Sequence, residues 1–394
     1  MVKILGIKLN TEPKTEILNR IRSWLSSPRQ HYIVTPNPEI VLLAQKDEEY
    51  FYILNHADIS LPDGIGLKFA ALTLGKNIPR ITGSDLTQDI LIMAQESQDP
   101  ILIINWEKGL SSANDISVAL ENIYPRLQFE IWDVDRAEAL KPDWKPRATI
   151  AKIMFAALGA PYQEKFIFHQ LAKIPTVKVA LGIGGSFDFL THKIKRAPKL
   201  MRRLGLEWLY RVISQPINRK KRLKRIYNAT CVFVVKVINW RFILPFKYRP
   251  NVACLLYKIE NNQSQILLVE RTEEPGHFQL PQGGTDGLSL KAAAIKELGE
   301  ELNSGKFTVK AVFQNLYRYK IDPKKNGYNR AAGYQGQKQG LVIAEFNGQD
   351  SDIRINFWDH SSYKWVPADK LIDESHPVRR EGYKIYLKKL KSII

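Results

Sequence analysis

The chain has 394 residues, 44% of them hydrophobic and 25% charged, with a formal net charge of +18. One hydrophobic core rarely serves so long a chain, so two domains are expected, and the composition is that of a soluble globular protein. The charge is concentrated: from Lys193 to Arg249 there are 17 Lys or Arg against one acid, Glu207, which gives +16. Such a patch calls for an anionic partner, whether nucleic acid, an acidic membrane surface or a polyphosphate substrate. Two cysteines, Cys231 and Cys254, lie in apolar runs without a CxxC partner. They read as buried thiols of a reducing compartment and point to neither a disulfide nor a zinc site.

The N-terminal stretch MVKILGIKLNTEPKTE holds no apolar run long enough for a signal peptide, and a cytoplasmic protein is expected. From Met1 to about Tyr227, apolar strand candidates (32–35, 101–105, 129–134 and 177–181) alternate with helical stretches. That alternation predicts an α/β fold with a largely parallel sheet. Just past the first strand stand Thr35-Pro36-Asn37-Pro38-Glu39, small polar groups where α/β sites tend to lie. Pro62-Asp63-Gly64-Ile65-Gly66 fixes a carboxylate in a glycine-bounded turn, which suits a general base as well as an ordinary turn aspartate. Arg80-Ile81-Thr82-Gly83-Ser84-Asp85-Leu86 reads either as a phosphate contact followed by a helix cap or as the cap alone. Gly159-Ala160-Pro161-Tyr162-Gln163-Glu164 repeats the polar-loop pattern.

The strand at 177–181 feeds Gly182, Gly184 and Gly185, then Ser186-Phe187-Asp188-Phe189 and a basic helical stretch. A glycine turn at a strand end followed by cations suits a phosphate-bearing ligand. Phe187 stands where a dinucleotide fingerprint needs its third glycine, so NAD binding is not read from it. The apolar run from Ala229 to Phe246 is interrupted by Lys236, Arg241 and Pro245. It is expected to be an interfacial or core-packed helix, since a bilayer span needs about 20 mainly apolar residues. Lys247 to Asn251 reads as a linker. The remainder, with strand candidates at 252–257, 265–270, 307–313, 340–346 and 364–367 and helices at 289–302 and from 379, predicts an α+β domain.

In their order, the segments TPNPEI, PDGIG, GAPYQE and GGSFDFLTHKIKRAPKLMRRLGLEWLYR resemble the WecG/TagA/CpsF glycosyltransferases over residues 3 to 227. These move N-acetylmannosamine or a related sugar from UDP to a polyprenyl-diphosphate-linked acceptor. The resemblance implies an inverting, metal-independent transfer on a Rossmann-like sheet. It places Asp63 on the catalytic base and Thr35 and Asn37 near it, and Arg80 on the arginine of the R-x-x-G-x-D-L segment. Gln163, Glu164, Gly184 and Asp188 fall on the nucleotide-sugar side. Arg211, Arg219, Arg222 and Arg225 are candidates for a C-terminal appendage that binds the acceptor diphosphate at the membrane. The chain departs from the family at Asn105-Trp106-Glu107-Lys108-Gly109, where a Gly-rich loop is usual, and at Trp132-Asp133-Val134-Asp135, where a later glycine turn is usual. Both bear on donor identity.

In the second half, Leu280-Pro281-Gln282-Gly283-Gly284 precedes Lys296-Glu297-Leu298-Gly299-Glu300-Glu301. On a helix, Glu297, Glu300 and Glu301 share one face, and a divalent cation would relieve their repulsion. The pattern resembles a Nudix hydrolase box that is one residue short, with Lys296 for the usual Arg and Asn303 for the late Gly. Gly333 to Gln339 and Lys364-Trp365-Val366 are similar to the branch acting on diadenosine polyphosphates and RNA 5′-pyrophosphates, which places a further ligand or base at Asp359. The resemblance implies Mg²⁺ or Mn²⁺ bound by Glu297, Glu300, Glu301 and Asp359, with Glu297 also catalytic; no cofactor is expected for the transferase half.

The domains expected are therefore 1–227, an appendage and linker at 228–250, and 251–394. The whole would act peripherally on the inner face of the membrane, on a UDP-sugar donor and a lipid-linked acceptor, with a homo-oligomer left open. The rival reading is a nucleic-acid-associated pyrophosphohydrolase with a non-catalytic basic first domain. It is disfavoured because Trp208, Tyr210 and Tyr227 sit at helical spacing and form no stacking platform. A second half that binds nucleotide without cleaving it also stays open.

Overall fold

The structure, a computed structural model, describes residues 1–198, 201, 210, 227–321 and 333–394. It divides into two units, Met1–Asn239 and Trp240–Ile394.

The first unit opens with an antiparallel hairpin, β1 (Val2–Ile4) and β2 (Ile7–Leu9), turned through Leu5 and Gly6 at φ 50° and 83°. Helix α1 (Lys14–Trp24) leads to β3 (His31–Val34), α2 (Pro38–Ala44) and α3 (Glu48–Asn55). After β4 (Ile59–Ser60) come α4 (Ile65–Leu72), α5 (Gly83–Ser97), β5 (Ile101–Trp106) and α6 (Ala113–Ile123). Then follow β6 (Phe129–Val134), β7 (Ile153–Ala157), α7 (Tyr162–Gln170), β8 (Val179–Gly182) and the single turn α8 (Phe187–Leu190). Strands β3 to β8 form one parallel sheet in the order β4-β3-β8-β7-β5-β6.

The sequence forces this layering. Ile101, Leu102, Ile103 and Ile104 are all fully buried, so consecutive side chains on opposite faces both need cover. One apolar layer gathers Ile101 and Ile103 with residues of α1, α5 and α6, and the other gathers Leu102 and Ile104 with Phe166 and Ile167 of α7. The expected Rossmann-like α/β sheet is present. Every parallel strand therefore delivers its carboxyl end to the same rim, and side-chain caps start the helices there: Asn37 on α2, Thr82 on α5 and Ser112 on α6.

Helix α9 (Asn228–Phe246) is 19 residues long, with mean hydropathy 1.5, yet only 11% of it is buried. It is not core-packed. Phe233 and Val237 are buried, and Phe233 lies against Gly66, where an added Cβ would sit 3.6 Å from its ring. Val234, Val235, Ile238, Phe242, Ile243 and Phe246 are exposed. Cys231 is exposed as well, which corrects the expectation of two buried thiols: it lies on the side of α9 turned away from the sheet domain, whereas Cys254 is interior.

The second unit is built on a mixed sheet of seven strands: β9 (Tyr248–Glu260), β10 (Gln263–Arg271), β11 (Phe278–Gln279), β12 (Gln282–Gly284), β13 (Phe307–Lys320), β14 (Gly336–Phe346) and β15 (His360–Pro367). Only β9 and β14 pair in parallel. The expected linker is corrected here: Tyr248 to Asn251 belong to β9 and pair with β14 from Gly336 to Gln339. Pro250 is tolerated because it stands near the strand's start, where a missing N–H costs little. One face of the sheet packs on α10 (Leu290–Leu302) through Ala293, Ala294, Leu298 and Leu302. The other packs on α11 (Leu371–Glu374) and α12 (Arg380–Leu390) through Leu371, Tyr383, Tyr386 and Leu390. This is the α+β domain expected.

Because Phe233 anchors α9 with its ring 1% exposed, Phe233→Ala removes contacts that in a core cost about 3–5 kcal/mol. The expected result is faster limited proteolysis within 228–246, with the thermal transition of the second unit unchanged.

Candidate functional site

The rim at the carboxyl ends of the parallel strands collects most of the transferase residues. Asp63 follows β4; its backbone N–H donates to Pro36 O (2.8 Å), and its Oδ2 accepts from Gly83 N at the start of α5 (3.2 Å). Gly64, at φ 97°, makes the turn that frees the carboxylate from α4. Thr35 touches the same helix start: a Cβ on Gly83 would lie 3.2 Å from Thr35 Oγ1. Next along, Ser84 Oγ and Ser186 Oγ are 3.2 Å apart, tying α5 to the turn after β8. Asp188 Oδ1 accepts from Ser111 Oγ (2.7 Å), which also meets Thr191 Oγ1 at 2.8 Å. The structure thus brings together Asp63, Thr35, Gly83 and the Gly184–Asp188 turn.

Other expected residues have local duties. Asn37 Oδ1 accepts from Ile40 N (2.9 Å), so its side chain caps α2. Arg80 is half-buried before Thr82, whose Oγ1 accepts from Asp85 N (3.1 Å) and caps α5. Gln163 is 3% exposed and Glu164 fully buried. Gln163 Oε1 accepts from Gly159 N (3.1 Å) and Gly184 N (2.8 Å), and its Nε2 donates to Glu164 Oε1 (2.7 Å). Tyr50 OH completes the set by donating to Glu164 Oε2 (3.1 Å). Burial raises the Glu164 carboxyl above its ordinary value. This pair lies beneath the rim and sets the spacing of two glycine turns. Gly182 is required there, since its Cβ would fall 2.7 Å from Gln163 Nε2. Arg211, Arg219, Arg222 and Arg225 lie outside the described residues.

The two divergent segments, after β5 and at the end of β6, hold each other in place. Asn105 Nδ2 donates to Asp133 Oδ1 (2.7 Å), and Lys108 pairs with Asp135 at 3.2 Å. Ser111 gave no signal in the sequence, and Ser84 and Ser186 stood within quoted motifs without a role of their own, because their contacts join segments far apart in sequence.

In the second unit, Glu297 and Glu301 are 7% and 6% exposed on α10, whereas Glu300 is exposed and pairs with Lys296 at 2.9 Å. A Cβ on Gly283 would collide with the Glu297 carboxylate, so any larger residue there displaces that carboxylate. Glu301 Oε1 accepts weakly from Gln282 N (3.4 Å). Its Oε2 lies 3.2 Å from His360 Nε2, yet neither of these buried atoms has a hydrogen-bond partner in a proper direction. Burial alone would lower the His360 imidazole, but Glu301, aided by Asp359, lifts it above its ordinary value. His360 is a site residue that sequence reasoning missed in choosing its neighbour Asp359, whose backbone oxygen accepts from Thr272 N (3.1 Å). Two buried carboxylates on one helix face, one of them with an oxygen lacking a hydrogen bond, form a donor set that fits a hard divalent cation.

Beside the Pro281-Gln282-Gly283 turn lies a buried polar network. Gln339 Nε2 donates to Asn251 Oδ1 and Gln282 Oε1, both at 2.7 Å; Tyr386 OH donates to Gln339 Oε1 (3.0 Å); and Arg379 Nη2 donates to Gln279 Oε1 (3.0 Å). Nearby, His277 and His376 stack with ring centroids 3.8 Å apart, and His277 Nδ1 lies 2.8 Å from Glu274 Oε2.

Residues 2–245 match the model of the glycosyl transferase WecG/TagA/CpsF family, and residues 247–388 match that of the NUDIX domain. The chain belongs to the WecG/TagA/CpsF glycosyltransferases and carries a Nudix domain after the transferase region. It is 32% identical over 187 residues to the N-acetylglucosaminyldiphosphoundecaprenol N-acetyl-beta-D-mannosaminyltransferase of Bacillus subtilis, covering 43% of this chain and 69% of that protein. It is 34% identical over 152 residues to the RNA pyrophosphohydrolase of a Wolbachia pipientis strain, covering 38% of this chain and 92% of that protein. A solved Ap4A hydrolase of C. elegans aligns at 18% identity with TM-score 0.29, covering 36% of this chain and 98% of that one.

Burial chiefly, then His376 and Arg379, push the His277 imidazole down to about 4, with Glu274 pulling the other way. Its neutral form is the folded one, so this contribution is complete above pH 6.5 and is lost as the pH falls toward 4. His360 carries the opposite sign, being raised. The measurement is therefore a difference: wild type minus His277→Gln should lose stability on acidification from 6.5 to 4.5, by at most about 1.4 kcal/mol per pH unit.

Proposed function

We propose that the first unit transfers an N-acetylhexosamine, N-acetylmannosamine or a close relative, from a UDP-sugar to a polyprenyl-diphosphate-linked acceptor in cell-surface glycan synthesis. The observation that carries this reading is the position of Asp63, a carboxylate on the strand rim beside Thr35 and facing the amide of Gly83. There it would take the proton of the acceptor hydroxyl as the sugar carbon–oxygen bond to UDP breaks on the opposite face, which inverts the anomeric centre. The turn from Gly184 to Asp188 would hold the nucleotide side of the donor. No metal is invoked for this half. The similarity to the Bacillus subtilis mannosaminyltransferase supports the sugar and acceptor class.

The second unit would hydrolyse a nucleoside diphosphate linkage. Glu297 and Glu301, with Glu300 at the exposed edge and Asp359 next in sequence to His360, would hold Mg²⁺ or Mn²⁺. That ion would supply charge neutralisation on the diphosphate and a water made more acidic. Glu297 and His360 would hold or move the proton of that water, and Gly283 gives Glu297 the room it needs. The similarity to RNA pyrophosphohydrolases supports a 5′-triphosphate RNA or a dinucleoside polyphosphate as substrate.

The protein would work as a peripheral protein on the inner face of the membrane, singly or as a homo-oligomer. The apolar exposed side of α9 and the +16 stretch around it supply both signals that stable surface binding needs.

UDP release from a panel of UDP-sugars with a short-chain polyprenyl-diphosphate-GlcNAc acceptor tests the first half. Acceptor-dependent release should fall by about 100-fold or more in Asp63→Asn, and no release with any donor overturns the reading. For the second half, phosphate or pyrophosphate release from 5′-triphosphate RNA, or nucleotide release (ATP and AMP, or two ADP) from diadenosine tetraphosphate, should require Mg²⁺ or Mn²⁺ and vanish with chelator. Glu297→Gln should cost about 100-fold or more in kcat. Nucleotide binding without any cleavage by wild type would leave a sensing domain in its place.

A further inference from the structure

The connection after β5 runs outward to β6, and the connection after β7 runs inward to β8, although β5 and β7 are neighbours. In an open parallel sheet this reversal parts the loops at the carboxyl ends and leaves the crevice in which nucleotides sit. Four side-chain or backbone elements meet there: Trp106 at the end of β5, Arg136 just after β6, Gly159 after β7 and Tyr162 at the start of α7.

Arg136 is held flat. Its guanidinium carbon lies 3.4 Å from the centroid of the Trp106 ring and 5.4 Å from that of Tyr162. Its Nη2 would be 3.1 Å from a Cβ on Gly159, whose φ of 72° favours glycine in any case. With two aromatic rings beside it, the guanidinium offers its N–H groups for recognition, and Nε is buried without a hydrogen-bond partner. Among the described residues Arg136 forms no ion pair. Its neighbour Asp135 is committed elsewhere, to Lys108 (3.2 Å) and to the amides of Ala137 (2.8 Å) and Glu138 (3.3 Å). The cation also stands close to the first turn of α7, the electropositive end of that helix. Burial disfavours its charge, yet a guanidinium stays protonated. Asp135 and Tyr162 offset the cost of this partly desolvated cation only in part, and an anion in the crevice would complete it.

We infer that Arg136 is a specificity-determining residue that binds a phosphate of the donor nucleotide in the β5/β7 crevice, with Trp106 and Tyr162 fixing its plane. Two parallel N–H groups meet two phosphate oxygens, which a point-charge lysine reproduces only in part. The inference rests on the transferase reading. It also gives a reason for the chain's divergence at 105–109 and 132–135: a bulky aromatic and an arginine serve where a glycine loop would offer backbone amides.

The test is calorimetric titration of the full chain in chelator, which removes metal-dependent nucleotide binding by the Nudix domain. UDP, GDP and ADP are each compared with their nucleosides. Wild type should prefer the diphosphate, and Arg136→Gln should weaken the diphosphate about 10- to 100-fold while leaving the nucleoside unchanged. Arg136→Lys, which keeps the charge, should recover part of the loss, and the wild-type preference should shrink with salt. An equal loss for nucleoside and diphosphate, or diphosphate binding by Arg136→Gln equal to wild type, overturns the inference while leaving the transferase reading intact. If wild type binds no diphosphate and also releases none from any sugar donor, both fall together.

Discussion

The rim of the transferase sheet depends on one buried amide. Gln163 reaches from the first turn of α7 and accepts hydrogen bonds from Gly159 N and Gly184 N, one in the turn after β7 and one in the turn after β8. Both turns are glycine turns at positive φ, with no side chain of their own to fix them. Without the Gln163 carbonyl, two partly buried N–H groups would lose their partner, each at a cost of up to about 1–3 kcal/mol where water does not reach it. The donor end of the amide is held in turn by Glu164, and Glu164 by Tyr50, so the orientation of Gln163 is fixed from below. The glycine turns, the Asp188–Ser111 contact and the Ser186–Ser84 contact all inherit their places from this arrangement. A pair of residues that resembles ligand contacts in sequence thus serves as the footing on which the ligand-facing backbone stands.

The Nudix domain meets the same problem with an ion-ready arrangement in place of a neutral amide. Glu297 is packed so tightly over Gly283 that no side chain fits between them, and Glu301 is buried opposite His360. Buried carboxylates on one helix face repel, and a fold keeps them only where something compensates. His360 supplies part of that from the protein itself, its own charge favoured by Glu301. Glu300, paired with Lys296 at the surface, is the member least committed to the interior.

Much of this was legible in the sequence, and the limits have physical causes. A continuous apolar run gave β5 within a residue, since a strand buried on both faces leaves little ambiguity, and the apolar residues of the part-buried edge strand β6 marked its bounds. The strand at 177–181 starts instead at Val179, because Val177 N bonds Ile174 O in a turn. Lys247 to Asn251 looked like a linker for its charge and proline, but parallel pairing with β14, some 90 residues away in sequence, made it strand. Asp63 and the Glu297/Glu301 pair could be named because their motifs are local. Ser111, His360 and Arg136 could not, because each acquires its surroundings only when distant strands align.

Helix α9 meets the length and hydropathy of a membrane span, yet its packing argues against spanning. Phe233 and Val237 are spent on the sheet domain, and Lys236, half-buried near Lys46, has its charge disfavoured already. A helix that keeps one face packed on the sheet domain cannot also present that face to lipid on both leaflets. Arg241 within the same stretch would have to be carried to membrane depth, at a cost of about 2.5–3.5 kcal/mol or more. Lying in the interface requires neither change. The exposed apolar residues Val234, Val235, Ile238 and Phe242 would, on the proposed reading, enter the acyl boundary, while the cations would remain at headgroup level. On the proposed reading this orientation also has a chemical use. Phe233 packs on Gly66, three residues from Asp63, so a surface-lying α9 would hold the acceptor-side turn close to the plane in which a lipid diphosphate is confined.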